Sequence, residues 1–324
     1  MKKLIRIFFG LLISAFFLWL AFRNSNFSEI FRIIKTVKIE MLAIVFIISL
    51  IALMLRSYRW KKLGKEYRSV AWKNFFEATS MGLMLNTFVP LRGGDIFQAY
   101  FLSKKSGLPK SYTLATVFLE RLLDLLPPVF MILIGSYFIV IPAQFKIGRL
   151  IILFAVIISA ILLFLKLRKI FVSFIGRFVN KKHSEKIGKL LENITSAIKF
   201  LKDRQVLTVA IPLTIFNWFV VSAISTYLLL IAFNIKVSLI GLYLIIGISV
   251  LSVAIPSSPG FVGTWEFFTM MALSIFGVEK NIALSYAILS HFMALLPLNL
   301  VGLYYFYIEI FLKKEKINLE TNDK

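Results

Sequence analysis

Long apolar runs alternate with short basic loops along this chain, and two of the runs are broken in the middle. Residues 4–22 are apolar behind Met1-Lys2-Lys3. The run is longer than a signal-peptide core and no small-x-small pattern follows it, so it predicts a retained first transmembrane helix. Residues 23–40 are polar, but Phe27, Ile30, Phe31, Ile34 and Val37 recur at helical spacing and predict a short interfacial helix. Residues 41–55 predict a second crossing, 111–141 a third, and 150–165 a fourth. Pro127-Pro128 is expected to kink the third. Residues 206–233 and 279–311 predict two more.

The broken segments read differently. Residues 74–91 are apolar, then meet Pro90 and Gly93-Gly94, and a short run over 96–102 ends at Lys104-Lys105. Residues 238–255 stop at Pro256-Ser257-Ser258-Pro259-Gly260, and a run over 267–276 follows. No half reaches the ~20 residues a crossing needs. Each pair is therefore expected to enter and leave on one face. The fold class predicted is an all-α polytopic membrane protein, a single domain over 1–324, with about six transmembrane helices plus two re-entrant broken-helix hairpins.

Composition fixes the class. Hydrophobic residues make up 59% of the chain and charged ones 17%, against about 45–50% and 25% in soluble domains. The net charge of +22 lies mostly in loops. Arg56, Arg59, Lys61, Lys62, Lys65, Arg68 and Lys73 form one basic cluster, and residues 166–205 a second. Basic loops face the cytoplasm and its anionic lipid surface, which predicts a multi-pass protein of the cell membrane with both termini cytoplasmic. Within 166–205, Ile187, Leu190, Leu191, Ile194, Ile198 and Leu201 predict a basic amphipathic helix on that leaflet. No soluble reader fold carries the charge, so nucleic acid is not an expected partner. With no cysteine and only His183 and His291, neither a thiolate nor a multi-histidine metal centre is available, and no cofactor is expected. Gly-x-Ser-x-Gly, Walker and His-Glu-x-x-His patterns are absent, so the expectation is not an enzyme. Trp19, Trp60 and Trp72 are expected as interface anchors.

The two broken segments look like copies. Residues 107–127 lie without gaps over 277–297, with Gly107, Lys110, Leu114, Leu119, Leu125, Leu126 and Pro127 matching Gly277, Lys280, Leu284, Leu289, Leu295, Leu296 and Pro297. Glu120-Arg121 fall on Ser290-His291, and Asp95 comes near Glu266. Repeat halves of about 41–142 and 206–311, joined by 166–205, then start on opposite faces. Inverted repeats with broken helices set a binding site at the midplane. Arg92 and Arg121 are the candidate anion binders, since a guanidinium offers a fork to phosphate. Backbone N–H groups at Gly93, Gly94, Gly260 and Gly263 would add half-helix N-termini. Asp95, Glu120, Asp124 and Glu266 would balance the arginines, gate the site or carry a proton. Asn86 would satisfy broken backbone, and His291 is either a packed hydrogen-bonded residue or a proton relay. The alternative is that Arg121 merely pairs with Glu120, Asp124 or Asp95 to lock the fold.

Asn86…Pro90-Leu91-Arg92-Gly93-Gly94-Asp95, then Gly107 and Glu120-Arg121…Asp124, resembles the flippase-like integral membrane family named after the transmembrane region of lysylphosphatidylglycerol synthase. Pro256…Pro259-Gly260…Gly263…Glu266 fits the same family. The resemblance implies a lipid-translocating membrane domain. In the full synthases a soluble aminoacyltransferase domain follows; this sequence ends without one, so lysyl transfer is not expected. Two positions depart: Asp95 stands where the family commonly has Glu, and Gln98 where it has a basic residue. The expected function is flippase-like transport of an anionic, phosphate-bearing lipid, a membrane phospholipid or a polyprenyl-phosphate type. The alternatives are a lipid-presenting subunit of a separate transferase and an intramembrane headgroup-modifying enzyme. A second copy or a partner transferase is the compatible protein partner.

Overall fold

The computed structural model describes residues 2–89, 92–140, 204, 206–255 and 257–309. Every regular element among them is helical. In chain order these are α1 (Lys2–Phe22), α2 (Phe27–Lys35), α3 (Ile39–Lys61), α4 (Trp72–Phe88), α5 (Gly93–Ser106) and α6 (Lys110–Phe138). Then come α7 (Thr208–Ala232), α8 (Leu239–Leu251), α9 (Thr264–Ser274) and α10 (Lys280–Tyr307). Among the described residues α3, α7 and α10 are long and apolar enough to cross a bilayer alone. α6 has 29 residues, ample length, but carries Glu120, Arg121 and Asp124 in its interior. The run expected over 150–165, nearly all of the basic segment 166–205, and the tail beyond Glu309 lie outside the described residues.

Both interruptions are present. α4 stops at Phe88 and α5 starts at Gly93. α8 stops at Leu251 and gives way to two short 3₁₀ turns, Ser252–Ala254 and Pro259–Phe261, before α9. The four pieces have 17, 14, 13 and 11 residues, each short of a full crossing. After each pair the chain turns through a glycine with φ +73°, Gly107 and then Gly277. A Cβ at either would meet no atom within 4 Å, so glycine is needed for the left-handed backbone, not for space. Each turn leads into a long helix with an internal proline, Pro127-Pro128 in α6 and Pro297 in α10.

One sequence expectation is corrected here. The second crossing does not end at Leu55. α3 continues as helix to Lys61, because Arg56, Ser57, Tyr58, Arg59 and Trp60 contain no helix breaker. Arg59 and Trp60 are thereby buried, not part of a solvated loop. Trp60 is no interface anchor either: its Nε1 donates to Thr116 Oγ1 at 3.0 Å, and its ring meets Tyr67 and Phe75 edge-on. Trp19 and Trp72 are exposed.

Two packed regions flank the middle of the molecule. One joins Trp60, Tyr67, Phe75, Leu102 and Leu119 from α3 to α6. The other joins α7, α8, α9 and α10 to Met131 and Ile132 of α6. In lipid such regions hold by dispersion and close approach more than by water exclusion. Close approach is visible between α4 and α5, where a Cβ on Gly94 would fall 2.0 Å from the carbonyl oxygen of Gly82. α1 braces the second interruption: Ser258 N–H donates to Ser14 Oγ at 2.8 Å, and a Cβ on Gly263 would lie 2.5 Å from Ser14 O.

Candidate functional site

The charges predicted from sequence meet between these two regions. Arg59 lies on α3 with its side chain 2% exposed. Its guanidinium donates to Glu120 Oε1 at 3.1 Å, to Asp124 Oδ1 at 2.7 Å and to Thr214 Oγ1 at 3.2 Å. Arg56, one turn earlier, pairs with Asp124 and reaches Glu120 at 3.5 Å. Glu120 and Asp124 are four apart on α6 and so present one face. The indole of Trp218 donates to Asp124 Oδ1 at 3.1 Å. A charge-assisted network of this kind survives in a low dielectric because every carboxylate has a cation beside it.

Arg56 and Arg59 were missed by the sequence reading. A signal existed: Arg92 and Arg121 face three carboxylates, Asp95, Glu120 and Asp124, and so leave a buried negative charge uncompensated. Arg56 and Arg59 were the nearest guanidiniums continuous with an apolar helix.

The first interruption supplies the next layer. Asp95 is the third residue of α5; its Oδ1 accepts from Asn86 Nδ2 at 2.8 Å and lies 3.1 Å from Arg121 Nη2. Asn86, inside the last turn of α4, thus bonds the Asp95 side chain and not the broken backbone it was expected to satisfy; its Oδ1 has no hydrogen-bond partner among the described residues. Gln98 bridges Glu120 and Arg121, donating to Glu120 Oε2 at 3.3 Å and accepting from Arg121 Nη2 at 3.1 Å. Arg121 therefore does pair within the fold, as the alternative reading held, yet it also lines a cavity.

The second interruption repeats the device with different chemistry. Glu266 is the third residue of α9; its Oε1 lies 2.5 Å from His291 Nδ1 and its Oε2 accepts from Gly263 N–H at 2.6 Å. The N-terminus of α9 is thus capped by its own Glu266, and the Gly263 N–H expected to meet an anion is already taken. Gly94 and Gly263 serve close packing, against Gly82 and against α1. Gly93 opens α5, and Gly260 has φ +70° with its Cα facing Thr87. The indole of Trp265 stacks on the His291 ring at 5.3 Å and 20°. His291 Nε2 is buried and has no hydrogen-bond partner.

The interruptions touch. Arg92, between α4 and α5, has φ +54°, and its guanidinium lies 6.0 Å from the Phe261 ring of the other tip. A non-glycine residue in the left-handed region costs about 1–2 kcal/mol. A cavity of about 320 Å³ opens between the tips, lined by Arg56, Asn86, Arg92, Arg121, Asp124 and His291 among others. Among the described residues Arg92 has no carboxylate at ion-pair distance, unlike Arg56, Arg59 and Arg121. A second chamber of about 230 Å³ adjoins it, sharing Arg56, Leu83, Trp218 and Trp265. Its walls are mostly apolar, with Arg56, Asn217 and hydroxyls such as Ser49, Ser222, Ser225 and Thr226 among them.

This is a helical membrane protein whose two interrupted segments border a chamber lined by charged side chains. It belongs to the lysylphosphatidylglycerol synthase TM region family, whose profile matches residues 7–302. It is similar to a UPF0104 membrane protein of Methanocaldococcus jannaschii, 26% identical over 95% of this chain and 95% of that one. A second protein of that name and organism is 27% identical over 70% of this chain and 94% of its own. One from Pyrococcus horikoshii is 22% identical over 93% of this chain and 96% of its own. No solved structure matches.

Proposed function

We propose that the protein binds a lipid with an anionic phosphate headgroup in the chamber between its broken segments and carries it across the bilayer. One observation carries the reading: Arg92 faces the same cavity as Arg121 and has no counter-ion among the described residues. With no carboxylate among those residues at ion-pair distance, its guanidinium fork is open, and a phosphate oxygen pair would complete it. The adjoining apolar chamber would receive the start of an acyl or prenyl chain. The matching φ +73° turns, the internal prolines and the paired third-position carboxylates support an inverted repeat, with six crossings and two re-entrant hairpins around a midplane site. In that arrangement each tip belongs to a different leaflet, and a headgroup could reach the chamber from either.

Reconstitution tests this. Purified protein in phosphatidylcholine liposomes should move fluorescent phosphatidylglycerol between leaflets, as read by dithionite quenching, and Arg92→Ala or Arg121→Ala should abolish the movement. Liposomes that move no labelled lipid, with variants no different, would refute it. The family name, which refers to the membrane region of a synthase, supports a second reading: a subunit that presents lipid to a separate transferase. Binding without movement in the same assay would favour that role.

A further inference from the structure

Arg121 and His291 occupy matching places. Each lies fourteen residues beyond its turn glycine, Gly107 or Gly277, on a long proline-containing helix. Each pairs with the third residue of the preceding short helix, Asp95 at 3.1 Å and Glu266 at 2.5 Å. Both line the same cavity. One difference separates them: a guanidinium keeps its proton throughout, whereas an imidazole is a side chain that can gain and lose one.

We propose that His291 is a proton-binding site coupled to headgroup binding, so that the chamber accepts an anionic lipid together with one proton. This deepens the lipid reading above and rests on it. The hydrogen-bond geometry supplies the mechanism. Glu266 Oε2 already accepts from Gly263 N–H, and Oε1 faces His291 Nδ1, an arrangement in which a carboxylate oxygen accepts from a protonated Nδ1. In neutral imidazole Nε2 then carries a lone pair. This is the atom, on a side chain only 7% exposed, that has no partner in the protein. Nε2 is buried beneath the cavity lining, and a lone pair there would repel a phosphate oxygen brought to the ring. A proton added at Nε2 turns that acceptor into a charged donor. Trp265, stacked on the ring, favours the cation.

The charge balance points the same way. The groups facing His291 across the cavity are Arg56 from α3, Arg92 from the first tip, and Arg121 and Asp124 from α6. Behind them lie Arg59, Asp95 and Glu120, and Glu266 sits on α9. Four guanidiniums meet four carboxylates, so the set is neutral when His291 is neutral. Protonation of His291 leaves it with a single positive charge, the complement of a phosphodiester's single negative charge.

The test uses the full chain in detergent micelles. The probes are fluorescent phosphatidylglycerol, whose phosphodiester keeps one charge throughout, and zwitterionic phosphatidylcholine. Between about pH 5 and 8.5, phosphatidylglycerol affinity should fall about tenfold per unit above a midpoint. Phosphatidylcholine affinity should not. In weak buffer about one pH unit or more above the midpoint, phosphatidylglycerol binding should draw protons from solution, approaching one per lipid. His291→Gln should bind phosphatidylglycerol more weakly at low pH and lose the slope. A flat wild-type profile without proton uptake, or a slope that persists in His291→Gln, would overturn the coupling and leave the lipid site standing. Failure of wild type to bind phosphatidylglycerol at any pH would overturn both. Should His291→Gln not fold, proton uptake by the wild type decides the matter.

Discussion

Arg121 and His291, one in each half of the chain, are both held by a carboxylate at the third position of a short broken helix, Asp95 and Glu266 respectively. The two bases face one cavity. Around this relationship the other charges sort into two kinds: those whose partners are all within the protein, and those that still have an unmet valence toward the chamber.

Arg59 belongs to the first kind. It is buried between Glu120 and Asp124, so Arg59→Met strands carboxylate charge in a low dielectric. We expect a loss of about 3–5 kcal/mol, seen as a large drop in thermal unfolding temperature in detergent. Thermal stability equal to wild type would show that Arg56 alone neutralises the pair.

Arg92 belongs to the second kind. Its backbone is left-handed and no ion pair holds it among the described residues. Arg92→Gly should raise stability by about 1 kcal/mol through relief of that backbone. The same substitution should weaken phosphatidylglycerol binding by at least about tenfold, the equivalent of 1.4 kcal/mol. Unchanged lipid binding would place the anion elsewhere.

Two glycines with different tasks should respond differently to alanine. At Gly94 the new methyl would fall 2.0 Å from the Gly82 carbonyl oxygen, forcing α4 and α5 apart. Gly94→Ala should therefore give little folded protein in size-exclusion chromatography of detergent extracts. At Gly107 a methyl has open space but φ is +73°, so Gly107→Ala should cost about 1–2 kcal/mol and remain folded.

Tyr67 lies in the loop between α3 and α4, outside the membrane-spanning segments. Burial pushes its phenol above the ordinary tyrosine range, with the hydrogen bond to Thr116 acting the other way. A raised native value means the stabilisation is complete below the unfolded phenol's pKa of about 10. It is then lost as pH climbs toward the native value, at about 1.4 kcal/mol per unit. Tyr67→Phe should flatten that alkaline decline in pH-dependent melting. An identical decline in the variant would assign it to other groups.

Much of the helical layout was legible from the chain. The apolar runs gave α1, α3, α6, α7 and α10 to within a few residues, except that the end of α3 was set at Leu55 instead of Lys61. Basic residues after an oily run look like a loop when only local hydropathy is weighed. Nothing local indicates that two carboxylates some sixty residues away will draw Arg56 and Arg59 inside. Trp60 was misplaced for the same reason, since its partner Thr116 lies on α6.

The glycines divide along a similar line. That Gly107 and Gly277 end helices follows from sequence, because a left-handed turn is a property of one residue and its neighbours. That Gly94 and Gly263 are spacers depends on which backbone passes beside them, Gly82 in one case and Ser14 in the other.

By itself the sequence determined a helical membrane protein, two interrupted segments and a set of ionisable residues that hydrocarbon would reject. Those follow from hydropathy, helix length and breaker residues, all short-range properties of a chain in lipid. Tertiary structure alone decided which charges neutralise one another, which guanidinium is left facing a cavity, and that Glu266 caps its own helix while holding His291. The reason is distance: electrostatic pairing in a low dielectric is settled over a few ångströms, between residues that stand 25 to 68 positions apart in the chain.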